Sequence, residues 1–224
     1  MIIAMQQLKL LKQLYQLKSF GYDYFDEPRS IEKVADAQNM QLPDDLDALR
    51  KFTHSCHLCG LSKTRKHVVF GEGNPSAKIM FVGEGPGEME DNTGRPFVGR
   101  AGQLLTKIIE NVLEIPRSET YIANIVKCRP PANRVPTSEE ANTCKPYLLK
   151  QIEIISPQII VSLGATSYRY LTGEMETPIS RVRGEVIVFG KYKLMPTYHP
   201  SYLLRNPSAK KDVYQDMLKV KAML

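Results

Sequence analysis

The sequence predicts an α/β fold: a three-layer α/β/α sandwich around a central, mostly parallel four-stranded sheet, with an N-terminal helical extension. Three observations carry this. Short apolar runs alternate with helical stretches from about residue 78 onward, the pattern of a parallel sheet covered on both faces. The first of those runs ends in a glycine-rich loop, as the first strand of such a sheet often does. The pattern and the charge both change near residue 48, which divides the chain into a segment 1–47 and a body 48–224.

Each element has its own reason. Residues 4–18 repeat Leu8, Leu11, Leu14 and Tyr15 at helical spacing, and Gly21 ends the run. Residues 21–47 hold Pro28 and Pro43 and read as an acidic linker with a short helix near 30–38. KIMFVG (78–83) is a buried strand. Arg100–Leu113 is an amphipathic helix, and TYIANIV (120–126) a second strand. A helix over 138–154 starts at a capping box of Thr137 and Glu140. QIIVSLG (158–164) is the third strand, and ATSYRYL (165–171) a short helix. Residues 185–200 form two strands about a Gly190–Lys191 turn, and a last helix covers 208–222.

The composition excludes some classes. With 42% hydrophobic residues the chain can bury a core and is not a disordered polymer. No apolar run reaches the roughly 18 residues of a membrane helix. The start lacks a basic region before a long apolar stretch, so no export signal is expected and the cytoplasm is the expected location. Net charge is +6, but it is uneven: residues 1–20 carry +3, residues 21–47 carry −6, and the body carries +9. A basic body suits a polyanion.

Two groups of residues bear chemistry. GEGPGEMED (83–91) follows the first strand but is no phosphate loop. It lacks a Gly-Lys-Ser/Thr ending, has Glu88 where a dinucleotide fold needs glycine, and carries four acids that repel a pyrophosphate. The four cysteines are Cys56, Cys59, Cys128 and Cys144. A reducing compartment disfavours two disulfides, so a four-thiolate metal site is the better reading. Zinc and an iron–sulfur cluster both accept four thiolates. Zinc sites usually pair two short CxxC knuckles, and here only Cys56–Cys59 is short, which favours a cluster. In an open α/β sheet ligands bind beyond the carboxyl ends of the strands. The loop at 83–91, Asn124 and His199 all fall at such ends. On charge and cysteines alone, a non-catalytic nucleic-acid-binding module and a redox protein stay open beside an enzyme.

The ordered set CxxC, GEGPGEMED, TGRPFVGRAGQLL (93–105), NIVKCRPPANR (124–134), Cys144 and HPSYLL (199–204) resembles the family 4 uracil-DNA glycosylases. The resemblance covers about residues 50–220 and leaves 1–47 unexplained. It implies a monofunctional enzyme of base excision repair. Such an enzyme flips uracil out of DNA and hydrolyses its N-glycosidic bond to leave an abasic site. It implies a 4Fe-4S cluster on the four cysteines, with a structural role. It implies uracil-containing DNA as partner, a monomer, and action in a bacterial or archaeal cytoplasm. The segment 1–47 lies outside the resemblance, and three roles stay open for it: packing on the body, binding a repair or replication protein, or screening the DNA face.

The resemblance also assigns residues. Asn124 reads the uracil edge, Phe97 stacks on the base, and Glu90 crowds the position of a thymine methyl. His199 donates a hydrogen bond to the uracil O2 as charge develops there. Glu84 and Gly85 belong to the pocket. Family 1 enzymes carry an aspartate where Gly85 stands, so Glu84 is the candidate for orienting water. Leu203 or Leu204 is the apolar wedge for the duplex, with Ser201 and Arg205 at the DNA backbone. A related branch captures DNA covalently through a histidine in a KRRIH-like insert. This chain has CRPPANRVP there, which implies turnover.

Overall fold

A computed structural model describes residues 41–224. The helix expected at 4–18 and the short helix near 30–38 lie outside the described residues.

The described chain begins with α1 (Leu46–His54), which Asp45 caps by accepting from the Ala48 N–H at 2.8 Å. This helix straddles the boundary expected at 47/48. The sheet is built from β1 (Glu72–Gly73), β2 (Ile79–Gly83), β3 (Tyr121–Asn124), β4 (Ile159–Leu163), β5 (Ile187–Phe189) and β6 (Tyr192–Thr197). Its order is β1-β3-β2-β4-β6-β5. The four inner strands run parallel, and β1 and β5 join antiparallel at the edges. The expected parallel core of four strands is present, within a sheet of six among the described residues.

Strands β2, β3 and β4 are buried along their whole length, as strands with helices on both faces must be. Alternation then sorts the side chains. Ile79, Phe81, Ile159 and Val161 join a core with Leu105, Val213 and Met217. Those last three come from α3 (Arg100–Ile108) and α8 (Lys210–Lys221); the short helices α2 (Glu88–Thr93) and α6 (Ile179–Val182) lie before α3 and β5 in the chain. The expected helix 100–113 is α-helical to Ile108 and finishes in a π turn, Ile109–Leu113. On the other side of the sheet, α5 (Ala165–Thr172) packs on β2 and β4 and against α4 (Ser138–Ile155). The predicted capping box is formed, with Thr137 Oγ1 accepting from the Glu140 N–H at 3.2 Å and Glu140 accepting from the Thr137 N–H at 2.8 Å.

The topology positions the site. From β2 the chain moves one way to β3 and then returns past β2 to β4 and β6. The crevice at this reversal, beyond the carboxyl ends of β2 and β4, is where such sheets bind ligands. Three loops meet there. They follow β2, β4 and β6, and the last leads into α7 (Pro200–Arg205).

Candidate active site

A cleft of about 590 Å³ opens at these carboxyl ends, within the range of small-molecule sites. Glu84, Gly85, Glu90, Phe97, Asn124 and His199 all border it, together with Ser201 and Arg205. Residues more than a hundred positions apart are thus brought to one place by the strand order.

Asn124 ends β3, opposite Gly83 in register. It is 1% exposed, and its Oδ1 has no hydrogen-bond partner. A buried, unpaired amide oxygen is costly and calls for a donor from a ligand. Gly83 must be a glycine, because a Cβ there would collide with the Asn124 Oδ1 and lie 2.5 Å from the Phe97 ring. A Cβ on Gly85 would stand 2.7 Å from Val126. The backbone of this loop therefore closes tightly on the cleft.

His199 caps α7 with its own ring. Its Nδ1 accepts from the Ser201 N–H at 3.1 Å and lies 2.7 Å from the Ser201 hydroxyl. A backbone N–H can only donate, so Nδ1 is unprotonated and the neutral ring carries its proton on Nε2. Burial, and then the nearby Arg205, push the His199 pKa down to about 4, against a smaller opposing pull from Glu90. The ring lies 5.7 Å from that of Phe97.

The acids of the glycine-rich loop divide in role. Glu84 accepts from the Thr166 hydroxyl at 2.5 Å, which leaves its other oxygen without a protein hydrogen bond among the described residues. Glu90 is fully engaged. It accepts from the N–H groups of Gly87 at 3.1 Å, Val98 at 2.9 Å and Gly99 at 2.8 Å. It borders the cleft as expected, but what it visibly does is tie the loop after β2 to the loop that carries Phe97.

The duplex-facing expectations change most. Leu203 is 1% exposed and packs in the core, so its expected role as a wedge is corrected: removing it would open a hole under α7. Leu204 is 39% exposed and Tyr202 38%, and both are free to meet another surface. Ser201, expected at the DNA backbone, is occupied in orienting His199. Sequence reasoning missed Thr166 and the wall formed by Asn133, Arg134 and Val135. Thr166 could have been found, since it follows a strand's carboxyl end two residues after Gly164.

The four cysteines are unbridged and border a second, smaller hollow with Arg65, Lys127 and Tyr147. Cys56 and Cys59 come from the loop after α1, Cys128 follows β3, and Cys144 lies on α4. Among the described residues, no group of three His, Cys, Asp or Glu is arranged to hold a single metal ion. The sulfurs are met by donors: Arg65 Nη1 is 3.2 Å from Cys128 Sγ, and the Lys127 N–H is 3.3 Å from Cys144 Sγ. Lys127 is fully buried, and its Nζ donates to the Asn124 carbonyl at 3.0 Å and to Gln151 Oε1 at 2.5 Å. Burial pushes the Cys144 thiol up to about 12 and the Lys127 ammonium down to about 8, while each of the pair favours the charge on the other. The Tyr147 hydroxyl, buried on the same hollow, lacks a partner. A buried cation, two N–H donors to sulfur and an unpaired hydroxyl fit a negatively charged, thiolate-bound group.

Comparison with known proteins agrees with this geometry. The family model described as the uracil DNA glycosylase superfamily matches residues 70–219. A type-4 uracil-DNA glycosylase of Thermotoga maritima is 51% identical over 172 residues, covering 75% of this chain and 89% of the relative. Type-4 uracil-DNA glycosylases of Sulfurisphaera tokodaii and Saccharolobus solfataricus are 46% and 47% identical, covering 80% and 81% of this chain and 85% and 87% of the relatives. With the family model spanning the sheet and the cleft, and with such identity across most of both chains, this chain belongs to the uracil-DNA glycosylase superfamily and, within it, to the type-4 family.

Proposed function

We propose that the chain removes uracil from DNA by hydrolysing its N-glycosidic bond, leaving an abasic site, as a monofunctional enzyme of base excision repair. The observation that carries this is the buried, unpaired Asn124 Oδ1 at the base of the cleft. Uracil offers an N3–H donor beside an O4 acceptor, and an asparagine amide answers both. Cytosine reverses both demands, so it would leave the amide facing like partners.

The remaining groups follow from position. Uracil leaves with negative charge on O2. The Nε2–H of neutral His199 supplies a fixed donor there, which stabilises the leaving group without giving up its proton. Phe97 stacks on the base. Glu84, held by Thr166 on one oxygen, keeps the other to orient the attacking water. Leu204 and Arg205 face the DNA, as an apolar contact and a phosphate contact. Cys56, Cys59, Cys128 and Cys144 hold a 4Fe-4S cluster, with zinc the second choice. The donors around the sulfurs and the shared hollow support the cluster, whose contribution is to tie the loop after α1 to β3 and α4.

Asn124→Asp tests the reading. It removes the amide donor and sets a carboxylate against O4, so uracil excision should fall by about 100-fold or more, with DNA affinity retained. Excision at the wild-type rate would sink the pocket assignment.

A further inference from the structure

Phe97 has φ 51°, a left-handed conformation that bulky side chains avoid. It is nevertheless buried, beside Gly83 and with its ring 5.7 Å from that of His199. Something must hold it there, and the structure shows a grip from both sides. Glu90 takes the N–H groups of Val98 and Gly99. Opposite, Arg117 donates to the Phe97 carbonyl at 2.9 Å and to the Pro96 carbonyl at 2.7 Å. The same guanidinium donates to Thr106 Oγ1 at 2.9 Å and to Glu72 at 2.9 Å. Glu72 is itself fixed by Arg95 at 2.8 Å. Helix α3 closes the space below, since a Cβ on Gly102 would collide with the Phe97 carbonyl.

Arg117 does not border the cleft, so it touches no base. Its fork is nonetheless aimed at the two carbonyls that would swing away if Phe97 relaxed to an ordinary φ. A planar, doubly donating group matches that pair of acceptors, and a lysine cannot reproduce it.

We propose that Arg117 is a positioning residue for base recognition: it holds Phe97 in its strained pose and so presents the ring, already oriented, to the extruded base. The inference rests on the reading of Phe97 as the stacking residue. Relaxation of Phe97 is prevented before substrate arrives, so no binding energy is spent on ordering it.

A double-mutant cycle tests this. Uracil excision (kcat/KM) is measured for the wild type, Phe97→Ala, Arg117→Lys and the double variant, each with its four-cysteine group loaded, alongside Tm and affinity for abasic DNA. Arg117→Lys is expected to lower kcat/KM by about tenfold, the worth of a charged hydrogen bond, with affinity for abasic DNA unchanged. In the Phe97→Ala background the same change should cost less than about twofold, because its target is gone. Equal losses in both backgrounds would overturn the inference while leaving Phe97 in its role. Wild-type excision by Phe97→Ala would overturn the reading of Phe97 and the inference with it. Should Arg117→Lys fail to fold, Glu72→Gln loosens the anchor of the fork and should show the same dependence on Phe97; independence there would also count against the proposal.

Discussion

His199 shows how a single side chain is prepared by its neighbours. Its ring is buried beside Arg205, and both effects disfavour the imidazolium. Its Nδ1 is occupied by Ser201, so the one proton sits on Nε2. The folded pKa, about 4, lies below the ordinary value of 6.5. Between those two values the unfolded chain takes up a proton that the native ring refuses, so stability is full above pH 6.5 and is lost as pH falls towards 4. The neutral form, which the proposed role of His199 requires, persists through that window. The rate of uracil excision should therefore show no inflection near pH 6.5, and His199→Ala should lower the rate without changing the profile above pH 5.5. An inflection near 6.5 that disappears in His199→Ala would contradict the lowered pKa of the buried ring. At this scale the sequence was legible where a residue stands at a strand's end, as Asn124 and His199 do. It was illegible where the partner is remote. Nothing in HPSYLL states that Ser201 turns inward to the ring, or that Leu203 is buried and Leu204 is not. In a six-residue helix the side that faces the core depends on what packs against it.

The capping box of α4 does two jobs at the scale of an element. Glu140 closes the first turn and also accepts from both arms of Arg134, at 2.7 and 2.8 Å. Arg134 belongs to the cleft wall, so one carboxylate starts a helix and fixes a loop of the candidate site. Hydrogen bonding to Arg134 holds the Glu140 carboxyl below its ordinary pKa. Glu140→Ala should destabilise the fold by about 1 kcal/mol through its half of the capping box alone, read as a lower urea midpoint, and should weaken DNA binding through the freed wall. A variant with unchanged midpoint would show that the cap contributes nothing. The box was readable from Thr137 and Glu140 at their spacing, because capping is local chemistry. The helix α1 and the strand β1 were not. β1 is two residues long, and its existence depends on β3 beside it.

The whole molecule converts sequence order into proximity. Because the chain reverses direction around β2, the loops after β2, β4 and β6 share one crevice, and β3 adds Asn124 from the side. The alternation of strand and helix was enough to foresee that convergence. Local periodicity could not foresee the cleft wall at 133–135; the hollow that draws together cysteines from a loop, a strand end and a helix was foreseen from thiolate chemistry and not from periodicity. That hollow and the cleft are joined by Lys127, which touches the Asn124 carbonyl and, through its N–H, Cys144.

The central claim is met most directly by one assay: excision from a labelled oligonucleotide carrying a single uracil, with a matched thymine strand as control, by protein loaded with its four-cysteine group. An alkali-sensitive break at uracil and none at thymine is the predicted result. An intact uracil strand, with the group demonstrably in place, would contradict the account.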